Sequence, residues 1–164
     1  MNANEIFAQR LKNARIMKGF SMDDLVSAMG NAISKMTISK YEKCQLSPNS
    51  SIVISLAKAL NQPVDYFFRP YTLQIDSIKF RKTKSSLAVK QENAIKEQIS
   101  DLIERYINVE EICNSSVKSD FLFSELITSE FQVKQAAVAL RNEWEIGTDG
   151  IVNVIDLLEE HGIK

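Results

Sequence analysis

Apolar residues over the first seventy positions recur at three- and four-residue spacing, in short runs that end at glycine, asparagine or proline. Ile6, Leu11, Ala14 and Ile16 mark a first helix that Gly19 stops. Ser21, with Asp24 three residues on, has the form of a capping box, and Leu25, Val26 and Met29 follow before Gly30 ends that helix. Gly30-Asn31 is turn chemistry. Ser34 is then placed to cap a third helix, Lys35 to about Lys43, which turns Ile38, Tyr41 and Glu42 one way and Lys35, Met36, Thr37, Ser39 and Lys40 the other. Beyond Pro48, Ser50 or Ser51 caps a fourth helix with Val53, Leu56, Ala57 and Leu60 on its inner face. Pro63 and Pro70 bracket a short fifth, in which Asp65-Tyr66-Phe67-Phe68 closes over the core.

The pattern changes after Tyr71. Leu73, Ile75, Ile78 and Phe80 alternate with polar residues and the basic run Arg81-Lys82-Thr83-Lys84 follows, which reads as a linker with at most one short β segment. From about Ala88 to Cys113 a long helix carries Ile95, Ile99, Leu102, Tyr106, Val109 and Cys113 at alternating four- and three-residue spacing. That stripe fits either a core within the chain or a seam against a second copy. The polar stretch Asn114 to Asp120 interrupts, Phe121 to Ile127 reads as a short helix or ordered loop, and Val133 to Trp144 and Ile151 to His161 are two further helices separated by Gly147 and Gly150. The expected fold is mostly all-α: a five-helix domain over residues 1–70, a linker at 71–87, and a helical region at 88–164 with a regulatory or dimerising role.

A chain of 164 residues, 45% hydrophobic and 25% charged, has material for one or two globular cores. No apolar run approaches the roughly 20 residues that span a bilayer, and Asn2, Asn4 and Glu5 are unlike an export leader. Cys44 and Cys113 stand far apart without metal-ligand spacing, and each reads as a small hydrophobe or an unreactive thiol. A cytoplasmic protein with no metal, cofactor or membrane contact is expected. Net charge is only −1, yet its distribution is uneven. Residues 1–70 hold nine Lys and Arg against five Asp and Glu, 71–100 six against three, and 101–164 five against thirteen. The front can approach phosphates, and the acidic back must point away from them or serve another contact.

A short helix, a turn and a second short helix with a capped, cationic outer face form the arrangement that enters a major groove, the second helix presenting its N-terminal residues to base edges. Ser34, Lys35, Met36, Thr37, Ser39 and Lys40 line that side. The lysines can donate to guanine O6 and N7, and the hydroxyls can donate or accept; Met36 either packs on a thymine methyl or is simply exposed. Lys43 and Gln45, just past the helix, suit phosphates, and backbone N–H groups near Ser21 and Met22 suit another. An isolated surface lysine is usually only solvated; the whole pattern is what raises these above that reading. Arg81 to Lys84 could be a soluble linker or an arm on flanking phosphates. Trp144 reads as core and His161 as a helix-end residue.

The run Arg15, Lys18-Gly19-Phe20-Ser21, Asp24-Leu25, Ser34 through Lys43, Pro48 and Leu56-Ala57-Lys58-Ala59-Leu60 resembles the Cro and phage-repressor (XRE) helix-turn-helix family over about residues 5–68. The resemblance implies a lambda-repressor-like domain, double-stranded DNA as ligand, binding rather than catalysis, a homodimer, and repression by blocking a promoter. It also implies a structural ion pair between Arg15 and Glu42. Two departures stand out: Asn31, Ala32 and Ile33 lengthen the turn between helices two and three, and Cys44 stands where glycine is usual. Asp65 to Pro70, Ile78 to Lys82, Ile103 to Tyr106, Ala136-Ala137 with Leu140-Arg141, and Leu157 to Lys164 resemble a narrower group in which such regulators precede an ImmA/IrrE-like metallopeptidase domain. The His-Glu-x-x-His of that peptidase is not in the chain, whose one histidine is His161. The alternatives are an antitoxin-like protein that holds a protein partner through residues 88–164 and regulates its own operon, or the regulatory part of a longer metallopeptidase.

Overall fold

The computed structural model describes residues 2–70, 88–117 and 127–163. Among them every element is helical: α1 (Ala3–Met17), α2 (Met22–Ala28), α3 (Lys35–Glu42), α4 (Ser50–Leu60), a 3-10 helix (Val64–Phe68), α5 (Val89–Ile112), α6 (Glu130–Glu143) and α7 (Val154–Glu160). No helix among the described residues is long and apolar enough to cross a membrane. The strand-like stretch 71–86, the basic run Arg81 to Lys84 and all but the end of the element expected at Phe121 to Ile127 lie outside the described residues. Two compact units divide the chain, Met1–Asn108 and Val109–Lys164.

Local side-chain chemistry sets most helix ends. Asn2 and Glu5 cap α1 reciprocally, Ser21 and Asp24 cap α2, and the Ser34 hydroxyl accepts from the Thr37 amide at the start of α3. Three helix starts differ from the pattern reading. The cap of α4 is Asn49, not Ser50 or Ser51: its Oδ1 accepts from the Ile52 amide, 3.0 Å, and from the Ser51 hydroxyl, 2.7 Å. In the second unit Ser129 caps α6 with Gln132 answering, so that helix starts three residues before Val133, while Asn153 holds the start of α7 three residues after Ile151. In each case a polar side chain able to satisfy an open amide fixes the boundary more strongly than the first apolar residue does.

At the end of α3, Cys44 has φ +58°, with its amide donating to Tyr41 O and that of Gln45 to Lys40 O. This is the paired closure that glycine usually makes. Gly19, at φ +69°, closes α1 the same way, its amide donating to Ile16 O and that of Phe20 to Arg15 O.

The core of the first unit is Phe7, Leu11, Ala14 and Met17 of α1, Leu25 of α2, Ile38 and Tyr41 of α3, Val53, Leu56, Ala57 and Leu60 of α4, and Tyr66 and Phe67. Ile6 and Ile16 are only half-buried, because each lies about a quarter-turn to the side of the face that Phe7, Leu11 and Ala14 present inward. Phe7 packs against Phe67 and Phe68 at ring separations of 5.8 and 6.1 Å, so the 3-10 helix does close over α1.

One inward position of α1 is charged. Arg10 is 1% exposed, and its guanidinium donates to both carboxylate oxygens of Glu104 on α5, 2.7 and 2.6 Å, and to the carbonyls of Arg69 and Pro70. Burial alone would lower its pKa; pairing with Glu104 outweighs that and raises it. Arg69 pairs with Asp101, 2.9 Å, and lies 3.7 Å from Glu104, and both arginines stack on Tyr66, whose hydroxyl burial pushes up to about 12. Gln98 adds a bond to Met17 O. The face that α5 turns to the small domain is therefore polar, and its register is set by forked hydrogen bonds rather than by apolar fit.

In the second unit no residue of α6 or α7 is buried. Trp144 is half-buried rather than a core residue; it stacks on His161 at 4.1 Å, where it ends α6 and His161 ends α7. Arg141 donates to the Gly147 and Asp149 carbonyls and ties the intervening loop to α6.

Arg10→Met should strip a buried carboxylate of its main counter-ion and lower stability by about 3 kcal/mol, the lower end for a broken buried pair because Arg69 stays near. Replacing Glu104 by Met as well should restore most of the loss; urea denaturation followed by circular dichroism compares the two. Cys44→Gly should stabilise the protein by about 1 kcal/mol, read as a higher unfolding temperature, by relieving a left-handed backbone at a residue with a Cβ.

Candidate nucleic-acid interface

Ile38 and Tyr41 are buried and fix α3 by one side. With that side taken, Met36, Lys40 and Lys43, at four- and three-residue spacing, form an outward stripe, and Met36 is 68% exposed. Thr37 and Ser39 flank it half-buried, while Ser34 and Gln45 are exposed at its two ends. The Ser34 and Thr37 hydroxyls are 2.9 Å apart, so each already has a partner at the capped start of the helix. The five-residue turn from Met29 to Ile33 spends two successive left-handed residues, Gly30 at φ +65° and Asn31 at φ +60°. Asparagine tolerates that conformation better than most residues, which lets the lengthened turn form.

The far end of α3 is anchored by charge. Arg15 Nε and Nη2 donate to the two oxygens of Glu42, 2.6 and 2.9 Å, while Nη1 donates to Phe20 O, 2.9 Å. The side chains are only 13% and 5% exposed. One guanidinium thus joins the end of α1, the loop into α2 and the last turn of α3, and a bidentate fork fixes angle as well as distance.

Two groups at the start of α2 sit in a more acidic setting than their sequence suggests. The Ser21 amide donates to Asp24 Oδ2, 2.7 Å, and Met22 packs half-buried against the core. Hydrogen bonds from the Ser21 amide and hydroxyl hold the Asp24 carboxyl below its usual range, and Lys90 of α5 approaches it to 3.5 Å. A phosphate arriving there would meet a carboxylate already in the helix N-terminus. Lys35 differs from the other lysines of α3: its Nζ is 2.6 Å from Asp23 Oδ2, with both side chains more than half exposed. So exposed a pair is worth little and can open to a stronger anion.

Asp23 as the partner of Lys35 and the cluster of Arg10, Arg69, Asp101 and Glu104 were not read from the sequence. For Arg10 there was a signal: it lies three residues after Phe7 and four before Ala14, inside the inward arc of α1, where a charge requires a counter-ion. Asp23 and Lys35 meet only because the turn folds α2 and α3 together. Among the described residues no group of His, Cys, Asp or Glu is arranged to hold a metal ion.

No curated protein and no solved structure matches the chain. Residues 11–67, from α1 through most of the 3-10 helix, match the helix-turn-helix family model, so the chain carries an N-terminal helix-turn-helix domain.

Proposed function

We propose that the protein is a sequence-specific transcriptional regulator, acting as a repressor, that reads the major groove of double-stranded DNA with α3. The observation that carries this reading is the outward stripe of Met36, Lys40 and Lys43 on a helix whose other side is anchored by Ile38, Tyr41 and the Arg15–Glu42 fork. A rigidly held helix can place a side chain within hydrogen-bonding range of a base edge, and a freely moving one cannot. Lys40 and Ser39 read bases; Lys43 and Gln45, at the trailing end, meet phosphate. Lys35 joins them once it releases Asp23. Ser34 and Thr37 act first as the cap and contribute a hydroxyl at the groove edge. Ser21 and Met22 set the start of α2 over the backbone, where Asp24 limits how closely a phosphate can approach.

One recognition helix reads few bases, so the protein binds as a homodimer over paired half-sites, with the helical remainder supplying the second contact. The protein-partner reading, antitoxin-like or as part of a longer metallopeptidase, draws on one specific observation. Phe131, Val138, Val152 and Ile155 are exposed in a unit where α6 and α7 bury nothing, which suits a surface completed by another protein. Regulation and partner capture can coexist in one chain.

Selection of bound duplexes from a random pool with the full chain should yield two inverted half-sites with centres about 10–10.5 base pairs apart, or a multiple of that. Absence of any enriched sequence would overturn the reading. Lys40→Ala should weaken binding to the selected site by about 1–3 kcal/mol while leaving random-duplex affinity nearly unchanged, as measured by fluorescence anisotropy at fixed salt. An equal loss on both duplexes would make Lys40 a phosphate contact.

A further inference from the structure

Three ties fix where α5 begins. Glu104 binds Arg10, Gln98 Nε2 donates to Met17 O, 3.1 Å, and Lys90 Nζ lies 3.5 Å from Asp24 Oδ2, so positions that fall along α5 meet positions that rise from α1 into α2. The first turn of α5 therefore reaches past the end of α1 to the start of α2. Asp24 Oδ2, the oxygen beside Lys90, is also the one that accepts from the Ser21 amide, 2.7 Å. Lys90 thus stands at the N-terminal end of α2, the helix that crosses the backbone when a helix-turn-helix docks on a duplex. Next to Asp24, Asp23 holds Lys35, the first residue of α3, at 2.6 Å. Since neighbouring Cα atoms are about 3.8 Å apart, one short stretch of α2 collects a lysine from each of two other helices.

The geometry points to Lys90 as a phosphate contact made from outside the helix-turn-helix, with Asp24 holding its ammonium in place until a duplex arrives. This rests on the duplex-binding reading above and adds a residue of α5 to it. The start of α2 offers an anion little else: the Ser21 amide is taken by Asp24 and the Asp24 amide by the Ser21 hydroxyl, 3.1 Å, while the Asp24 carboxylate itself repels phosphate. A cation able to leave Asp24 offsets that repulsion. The Lys90 and Asp24 side chains are 61% and 50% exposed, and so open a pair holds weakly. Backbone phosphates, each with a full charge, compete for the ammonium, and the flexible four-carbon stem lets it follow them. Lys12 of α1 is the contrast. It acts on the Glu97 carboxyl, which lies about 10 Å further along the α5 axis than Lys90, close to one screening length at 0.1 M salt.

Binding of the full-length chain to a random-sequence duplex, followed by fluorescence anisotropy between about 50 and 200 mM salt, tests this contact. Lys90→Gln should weaken binding about fivefold or more near 0.1 M salt and reduce the slope of log affinity against log salt by about 0.9, the share of one phosphate. Lys90→Arg should keep both. Asp24→Asn added to Lys90→Gln keeps an acceptor for the Ser21 amide and removes the carboxylate charge, and the slope should stay reduced. Its return to the wild-type value would make Lys90 only the counter-ion of Asp24 and overturn the inference. So would an equal loss of slope in Lys12→Gln, which would trace the effect to overall charge, or no loss in Lys90→Gln. Circular dichroism and urea unfolding should match wild type in Lys90→Gln, because so exposed a pair contributes little to the fold. A chain that binds duplexes without sequence preference sinks the base-reading proposal and leaves this contact standing; a wild-type chain that binds no duplex sinks both.

Discussion

The fork from Arg15 to Glu42 is the constraint on which the proposed reading surface depends. α3 has only eight residues, too short to hold its shape or direction alone, and just two of its side chains, Ile38 and Tyr41, reach the core. Two apolar anchors leave a short helix free to roll. A guanidinium that binds both oxygens of the last helical residue and also the carbonyl of Phe20 removes that freedom and ties the recognition helix to the loop that starts α2. The lysines on the outer side then project from a fixed helix, which is what the proposed base reading requires.

The second charged cluster solves a different problem. Helix α5 is amphipathic, and the simplest way to attach it to the small domain would be by its apolar face. The chain attaches it by the opposite one, with Arg10 and Arg69 gripping Asp101 and Glu104 over the Tyr66 ring. Such a joint adds little net stability, since removing two charges from water offsets most of what their pairing returns, but it permits very few registers. α2, with Asp23 holding Lys35 and Asp24 near Lys90, adds a softer, solvent-exposed link between the recognition helix and the start of α5. The acidic residues therefore act as counter-ions on the small domain as well as making the back of the chain unattractive to phosphate.

Most of the small domain could be read directly from its residues. The caps at Ser21 and Ser34, the stops at Gly19 and Gly30 and the inward set Val53, Leu56, Ala57 and Leu60 all follow from chemistry within one helical turn. Cys44 in a left-handed backbone was foreshadowed by its standing where the resembled family usually has glycine. Where the reading slipped, at the start of α4 and of α7, an asparagine next to the apolar run supplied the acceptor, and apolar period alone had no means of ranking it above its neighbours. Trp144 was misjudged because size suggests burial, whereas it is only half-buried and stacks on a ring at the end of another helix.

What the sequence determined by itself is whatever depends on neighbours within about one turn: where helices begin and end, which side of each is apolar, and that Lys40 and Lys43 lie on the polar side of α3. Apart from Arg15 and Glu42, which the family resemblance implied, only the tertiary structure decided which charges meet. Arg10 and Glu104 are 94 positions apart, and Asp23 and Lys35 are 12 apart across a turn. Such pairings depend on how whole helices dock, a property of the summed packing of a dozen buried side chains that no local spacing encodes.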